Sequence, residues 1–185
     1  MCHRWSEREI DNLLFVEYAK SKPDEEKIKI LLNFGADINA VDNKGETLLF
    51  NAIGNVCYGL DTKYIRLLID EGVDLSYTVE GMNCLYIALM SGNPEIVSIL
   101  LEAGADPNCI SGDQPASLLD WAEAKLLFEE FCHGCDLLQL KQIIQQLKSY
   151  GARSITRMIH GVAEELPLGT ISDLSIQPYL RYKEV

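Results

Sequence analysis

One phrase, Leu-Leu-x-x-Gly-Ala-Asp-x-Asn, recurs along the chain and constrains its fold more than any other feature. It runs from Leu31 to Asn39, returns in altered form from Leu68 to Ser76, and is complete again from Leu100 to Asn108. A degraded copy, Leu147-Lys148-Ser149-Tyr150-Gly151-Ala152-Arg153, follows. The four glycines, Gly35, Gly72, Gly104 and Gly151, stand 37, 32 and 47 residues apart. The unit is therefore close to ~33 residues with insertions, a period characteristic of stacked repeats.

Each glycine follows apolar residues at i, i+3, i+4 spacing, where a left-handed residue closes a helix at least cost. Upstream lies a second element, Asp42 to Ala52 and again Thr78 to Ala88, whose closing alanines continue a series through Ala19, Ala52, Ala88 and Ala122. Asp42 to Gly45 is turn chemistry between two short extended segments. Ala52 and Ala88 are small where two antiparallel helices must approach. One unit is then a turn, a short helix, a tight loop and a longer helix. A lone unit cannot bury its apolar face; stacked units can.

These residues resemble the ankyrin-repeat family. The family pattern Asp-x-x-Gly-x-Thr-Pro-Leu-His-x-Ala-Ala is met by Asp42, Gly45, Thr47, Leu49 and Ala52, and by Gly81, Leu85 and Ala88. The following Val-x-x-Leu-Leu-x-x-Gly-Ala-Asp-x-Asn is met by Val97, Leu100, Leu101, Gly104, Ala105, Asp106 and Asn108. The resemblance implies an all-α solenoid of stacked helix-turn-helix units with short β-turn tips. It divides the chain into units at about 9–41, 42–77, 78–110 and 111–153, with a capping helix and tail at 154–185.

Departures from the pattern carry expectations of their own. Leu48 and Cys84 replace the family's proline, and Phe50 and Tyr86 replace the histidine that ties neighbouring turns, so those hydrogen bonds are not expected. Val56 to Asp61 lengthens one interhelical loop. Ala124 to Leu138 reads as a stretch inserted before the second helix of the fourth unit. Lys148 and Arg153 are polar replacements suited to a terminal unit that meets water. The first unit should place helices at Asp11 to Ala19 and Asp24 to Phe34. Ile155, Met158, Ile159 and Val162 predict a capping helix, and the tail at 167–185, broken by Pro167, Gly169 and Pro178, is expected to dock through Ile171, Leu174, Ile176, Tyr179 and Leu180.

The chain is 185 residues with 48% hydrophobic and 24% charged residues, enough for a core without disulfides or metal. Its 16 basic and 28 acidic residues give a net charge of -12. Such a surface repels phosphate backbones and anionic lipid, so nucleic-acid and membrane partners are not expected. The charged N-terminus, the lack of any stretch approaching the ~20 apolar residues of a membrane span and the scattered cysteines predict a cytoplasmic, reduced chain. A monomer is expected.

No phosphate loop, nucleophile elbow, zinc helix or dinucleotide turn is present in the sequence, and His3, His133 and His160 are the only histidines. No enzymatic activity and no cofactor are expected. Cys132-His133-Gly134-Cys135 is the sharpest chemical feature. A metal or thiol-redox protein built on Cys132 and Cys135 is the alternative reading, against which stands the missing second ligand pair or βαβ context. Cys84 and Cys57 read as packing, as do Trp5, Trp121, Phe128 and Phe131. Glu7, Glu9, Asp24, Glu25 and Glu26 read as solvated helix starts.

The family resemblance also implies a binding surface of turn tips and inner-helix positions, facing a partner protein whose identity the sequence does not give. Carried over position by position, it consists of Val41, Asn43, Lys44, Glu46, Tyr77, Val79, Glu80, Met82, Met90, Ser91 and Ile110. Several are apolar where a turn needs none for folding, which points to a partner. The competing reading is that Tyr77 and Val79 pair across neighbouring turns. Ankyrin-like repeats also occur in bacterial proteins delivered into host cells, a further reading for which the pair Glu164-Glu165 is the only sequence support.

Overall fold

The computed structural model describes residues 7–20, 22–56, 59–79, 81–108, 117–129 and 137–154. Four antiparallel helix pairs succeed one another along the chain: α1 (Glu7–Tyr18) with α2 (Glu25–Asn33), α3 (Leu48–Val56) with α4 (Lys63–Asp70), α5 (Cys84–Ser91) with α6 (Pro94–Glu102), and α7 (Leu118–Glu129) with α8 (Leu137–Ser149). The inner helices α1, α3, α5 and α7 pack in sequence, as do the outer helices α4, α6 and α8. A two-stranded antiparallel hairpin, β1 (Thr78–Val79) with β2 (Met82–Asn83), precedes α5, and an isolated bridge joins Val41 to Thr47 before α3.

The repeated phrase has a physical explanation at each position. Gly35, Gly72, Gly104 and Gly151 have φ of +95°, +86°, +93° and +83°. At each, the glycine N–H donates to the carbonyl three residues back, and the next residue's N–H donates to the carbonyl five back, as in Ala36 to Leu31 and Ala105 to Leu100, both at 3.0 Å. This double bond pattern satisfies the carbonyls that a helix end leaves orphaned. The following Ala36, Val73 and Ala105 are buried. The carboxylates of Asp37, Asp74 and Asp106 then accept from the N–H two residues on, at 2.9, 2.8 and 2.9 Å. Finally the asparagine reaches the next unit: Asn39 accepts from the Asp74 N–H and Asn108 from the Arg153 N–H, each at 2.8 Å. In the first unit the Asp11 carboxylate, on α1, takes that role for the Asp37 N–H at 2.8 Å.

Helix starts are capped by their own short polar side chains. Asp24 accepts from the Glu26 and Lys27 N–H groups, Asn83 from Tyr86, and Asn93 from Glu95 with Pro94 in the first turn. Ser117 and Asp120 cap each other reciprocally at α7: the serine hydroxyl accepts the Asp120 N–H at 3.0 Å, and the carboxylate accepts the Ser117 N–H at 3.3 Å.

The core is a continuous strip rather than a sphere. Leu14, Ile28, Leu48, Leu49, Ile53, Ile65, Ala52, Ala88, Ile96, Leu100, Ala122 and Ile143 have 0% exposure and run from the first helix pair to the last. The closing alanines Ala52, Ala88 and Ala122 are fully covered; Ala19 is exposed.

The structure refines three expectations. The stretch before the second helix of the fourth unit begins as helix: residues 124–129 continue α7, since Ala124 to Glu129 holds helix formers and no glycine or proline, and α8 starts at Leu137. α1 starts at Glu7, four residues earlier than expected, and Glu9 in the sequence of its first turn is of the charge that suits a helix start. The loss of the family histidine does not leave the turns untied. The Phe50 and Tyr77 rings meet edge-on with centroids 6.3 Å apart, and the Tyr77 hydroxyl donates to the Gly45 carbonyl at 3.2 Å. Tyr86 meets Trp121 of the next unit in the same way at 5.4 Å. Cys84, in the proline position, is buried and its thiol donates to the Leu75 carbonyl at 3.3 Å. The expected capping helix at Ile155 to Val162 and the tail lie outside the described residues.

Candidate functional site

The surface is built from a turn that shapes itself. The Asp42 carboxylate accepts the Lys44 and Glu46 N–H groups at 2.8 and 3.0 Å, and the Asn51 amide donates to it at 3.4 Å. The Asp42 N–H donates to the Glu46 carbonyl at 2.9 Å, and Gly45 supplies the positive φ the tip requires. Desolvation pushes the Asp42 carboxyl up, but these donors and the Lys44 charge outweigh it and hold it below its ordinary range. Asp42 is thus an ionised brace, and the side chains between it and Thr47 project as a rigid tip.

The expected site residues divide by exposure. Val41 and Met90 are apolar and each 48% exposed, Val41 at the base of the first tip and Met90 near the end of α5. Asn43 and Lys44 are exposed beside Val41, with Glu46 half-buried. Tyr77, Val79 and Met82 are half-buried: Tyr77 is held by Phe50 and Gly45, and Val79 pairs with Met82 inside the hairpin. Ser91 is half-buried and donates to the Ala88 carbonyl at 2.7 Å. Glu80 and Ile110 lie outside the described residues.

Repeat register adds positions that were overlooked. Counting from the closing alanines Ala52, Ala88 and Ala122, Met90 is level with Gly54 and Ala124, and Ser91 with Asn55 and Lys125. All of these are on inner helices, and Gly54, Asn55, Ala124 and Lys125 are half-buried. The Lys125 ammonium sits 5.3 Å from the centre of the Trp121 ring, a cation–π contact that fixes both beside Tyr86. Their signal was present in the sequence as a constant offset, two and three residues past each alanine.

The opposite side is different in kind. There the outer helices are joined by two ion pairs, Lys63 to Glu25 at 2.7 Å and Arg66 to Glu102 at 3.9 Å, and by a hydrogen bond that the Thr62 hydroxyl donates to the Glu95 carboxylate at 2.9 Å, all exposed or half-buried. At the far end Lys148 on α8 meets Glu123 on α7 at 2.7 Å. In the central units the outer helices α4 and α6 thus carry exposed charges that bridge units and no exposed large apolar side chain, while the tip and inner-helix side carries exposed Val41 and Met90; at the two ends of the stack Ile30, Phe34, Leu138 and Tyr150 are also exposed.

No group of three or more histidine, cysteine or acidic side chains among the described residues could hold a metal ion, and Cys132, His133 and Cys135 lie outside them. Among the described residues no helix is long and apolar enough to cross a membrane.

Comparison with known proteins places this geometry. A family model described as ankyrin repeats, in three copies, matches residues 16–111, just over half of the chain. The human protein "Ankyrin repeat and SOCS box protein 3" is 29% identical over 118 residues, 62% of this chain and 22% of that protein. "Tyrosine-protein kinase HTK16" of Hydra vulgaris is 31% identical over 60% of this chain and 15% of its own length. The Bos taurus "Inactive serine/threonine-protein kinase TEX14" is 38% identical over 81 residues, 43% of this chain and 5% of that protein. The chain therefore spans about a fifth or less of these relatives.

Proposed function

Because the chain belongs to the ankyrin-repeat family, we propose that it is a non-catalytic recognition module that holds a partner protein on the side made by its turn tips and inner helices. Ankyrin repeats are generally protein–protein interaction modules and typically carry no catalytic activity. The proposed unit boundaries are those of the repeat phrase, at about 9–41, 42–77, 78–110 and 111–153.

The observation that carries the proposal is the exposure of Val41 and Met90 on this side, 48% each, against the charge-laced outer helices α4 and α6 of the central units, which expose no large apolar side chain. Neither residue fills the core, and both stand where an apolar partner side chain can exclude water from them. Asn43, Lys44 and Glu46 surround Val41 with polar groups of both signs, which suits a contact with an apolar centre and a polar rim. The scaffold is rigid: the Asp42 brace and the Tyr77 clamp fix the tips before any partner arrives, so little ordering entropy is spent on binding. The net charge of -12 favours basic or apolar partner surfaces.

The relatives' names speak of kinases and a SOCS box; the matched stretch is a minor part of each, and the proposal takes only the repeat from them. The relatives compared are animal proteins, and the proposal does not extend to delivery by a bacterium.

The test is affinity capture from lysate with the intact chain and a Val41→Asp, Met90→Asp variant. Both side chains are already half in water, so the variant should fold. Loss of the captured protein with unchanged helical signal supports the proposal. Equal capture by the folded variant rejects this side as the site.

A further inference from the structure

The surface between α5 and α7 has a chemistry more defined than apolar exposure alone. Ile87, Met90 and Ser91 share one face of α5, being three and four residues apart, and Trp121, Ala124 and Lys125 hold the same register positions on α7, 34 residues later. Met90 is the most exposed of them, at 48%. At its level the neighbouring helices carry only Gly54 and Ala124, and a Cβ added at Gly54 would meet nothing within 4 Å. The Met90 thioether is therefore open toward both neighbours, with the half-buried Ile87 one turn before it. A flexible, polarisable side chain so placed adapts to an apolar group laid against it.

The charges around Met90 have one sign left over. α3 and α5 carry no charged residue. On α7 both carboxylates among the described side chains are engaged: Asp120 accepts from the Ser117 hydroxyl at 2.8 Å and from the Ser154 hydroxyl, and Glu123 meets Lys148 at 2.7 Å. Lys125 differs. Its ammonium lies 5.3 Å from the centre of the Trp121 ring, and it forms no ion pair with a carboxylate among the described residues. Trp121 is one turn toward the N-terminus, so the lysine side chain runs back along α7, away from position 129 one turn further on. Trp121 is in turn held edge-on against Tyr86, with centroids 5.4 Å apart. The cation is thus placed by aromatic packing across two units instead of by an acid of its own.

We infer, on the basis of the recognition side proposed above, that the partner docks between α5 and α7 through a segment with one carboxylate in an apolar setting, its apolar side chain against Met90 and its Asp or Glu side chain on Lys125. A fixed ammonium beside an exposed apolar side chain is complementary to that combination, and the charged pair supplies register as well as attraction. The net charge of -12 does not oppose it: that field is screened beyond ~8–10 Å in physiological salt, so at contact the nearest charge decides. The same field does disfavour an acidic run, whose other carboxylates would face the chain's acidic surface.

Peptides selected from a random display library on the intact chain test this. The selected peptides should share an Asp or Glu beside a large apolar residue. The tightest is then synthesised with its acid intact, changed to glutamine, or changed to lysine. Lys125→Gln should weaken the acid-bearing peptide about five- to tenfold with helical signal unchanged. Lys125→Glu should weaken it further, yet bind the lysine-bearing peptide better than the wild-type chain does, a reversal that a purely structural lysine would not give. Met90→Asp should weaken the acid-bearing peptide as well, and Arg66→Gln, on the outer helices, should not. Binding that falls in Met90→Asp but is indifferent to both Lys125 variants overturns the carboxylate contact and leaves the recognition side standing. Binding indifferent to Met90 and Lys125 alike overturns both. Selected peptides that are basic, or a library that yields no binder, also overturn the inference.

Discussion

Tyr77 offers the sharpest separation between a residue that holds the scaffold and one that waits for a partner. Its ring stands edge-on to Phe50 at 6.3 Å, and its hydroxyl donates to the Gly45 carbonyl at 3.2 Å, bridging two successive tips. Tyr77→Phe removes only the hydroxyl. A neutral hydrogen bond contributes about 0.5–1.5 kcal/mol, and at a half-buried carbonyl that water can reach, about 0.5 kcal/mol is expected. Tyr77→Ala also removes the ring pair, worth about 0.5–1.5 kcal/mol, and the apolar contact of a half-buried ring. The total should be about 2 kcal/mol, below the ~3–5 kcal/mol of a fully buried aromatic. With a urea slope of about 2 kcal/mol/M, the midpoint should fall by ~0.25 M for Tyr77→Phe and by ~1 M for Tyr77→Ala. A cycle with Phe50→Leu should return a coupling of about 0.5–1.5 kcal/mol. An unchanged midpoint for Tyr77→Ala, or no coupling to Phe50, would refute the clamp and return Tyr77 to the free binding surface.

Other expectations follow from single residues. Gly104→Ala meets no atom within 4 Å but forces an alanine to φ +93°, so it should cost about 1–2 kcal/mol by denaturant titration, from the backbone alone. Gly54→Ala, inside α3 with equally open space, should instead raise stability by about 0.5–1 kcal/mol in the same assay. Asn108→Ala removes the acceptor of the Arg153 N–H and the donor to the Gly151 carbonyl, so hydrogen exchange in α8 should speed up relative to α3 and α5. Glu17 is buried; desolvation raises its carboxyl, but the Lys20 ammonium, the Asp24 N–H and the Lys27 charge overcome this and leave it below the ordinary value. A depressed carboxyl stabilises the fold above its unfolded value near ~4.3 and loses that stabilisation as pH falls through the folded value. Melting temperature should therefore hold from pH 7 to about 5 and drop below about 4, with a shallower drop in Glu17→Gln.

Much of this was written in local chemistry. Gly35, Gly72, Gly104 and Gly151 end helices because a left-handed residue there is cheapest, and nothing distant had to be known. Ala52 and Ala88 announced close helix packing by size alone. The limits came where partners meet across units. Replacing the family histidine by Phe50 and Tyr86 reads as a lost tie, because a side chain's new partner is set by register between turns, and the aromatic pairs with Tyr77 and Trp121 replaced it. For the same reason Tyr77, Val79 and Met82 read as exposed and are half-buried, while Val41 and Met90 stand out in water. At α7 the residues from Ala124 read only as added length, and local helix propensity carries the helix through them to Glu129.

The central claim, that a partner protein is held on the tip and inner-helix side, is tested most directly by site-specific photocrosslinking in lysate. A photoreactive residue at position 41 or 90 should attach to the same protein band, and one at Arg66 or Glu102 on the outer helices, exposed to a similar degree, should attach to none. Attachment of that band from Arg66 or Glu102, with positions 41 and 90 silent in a folded chain, would contradict it.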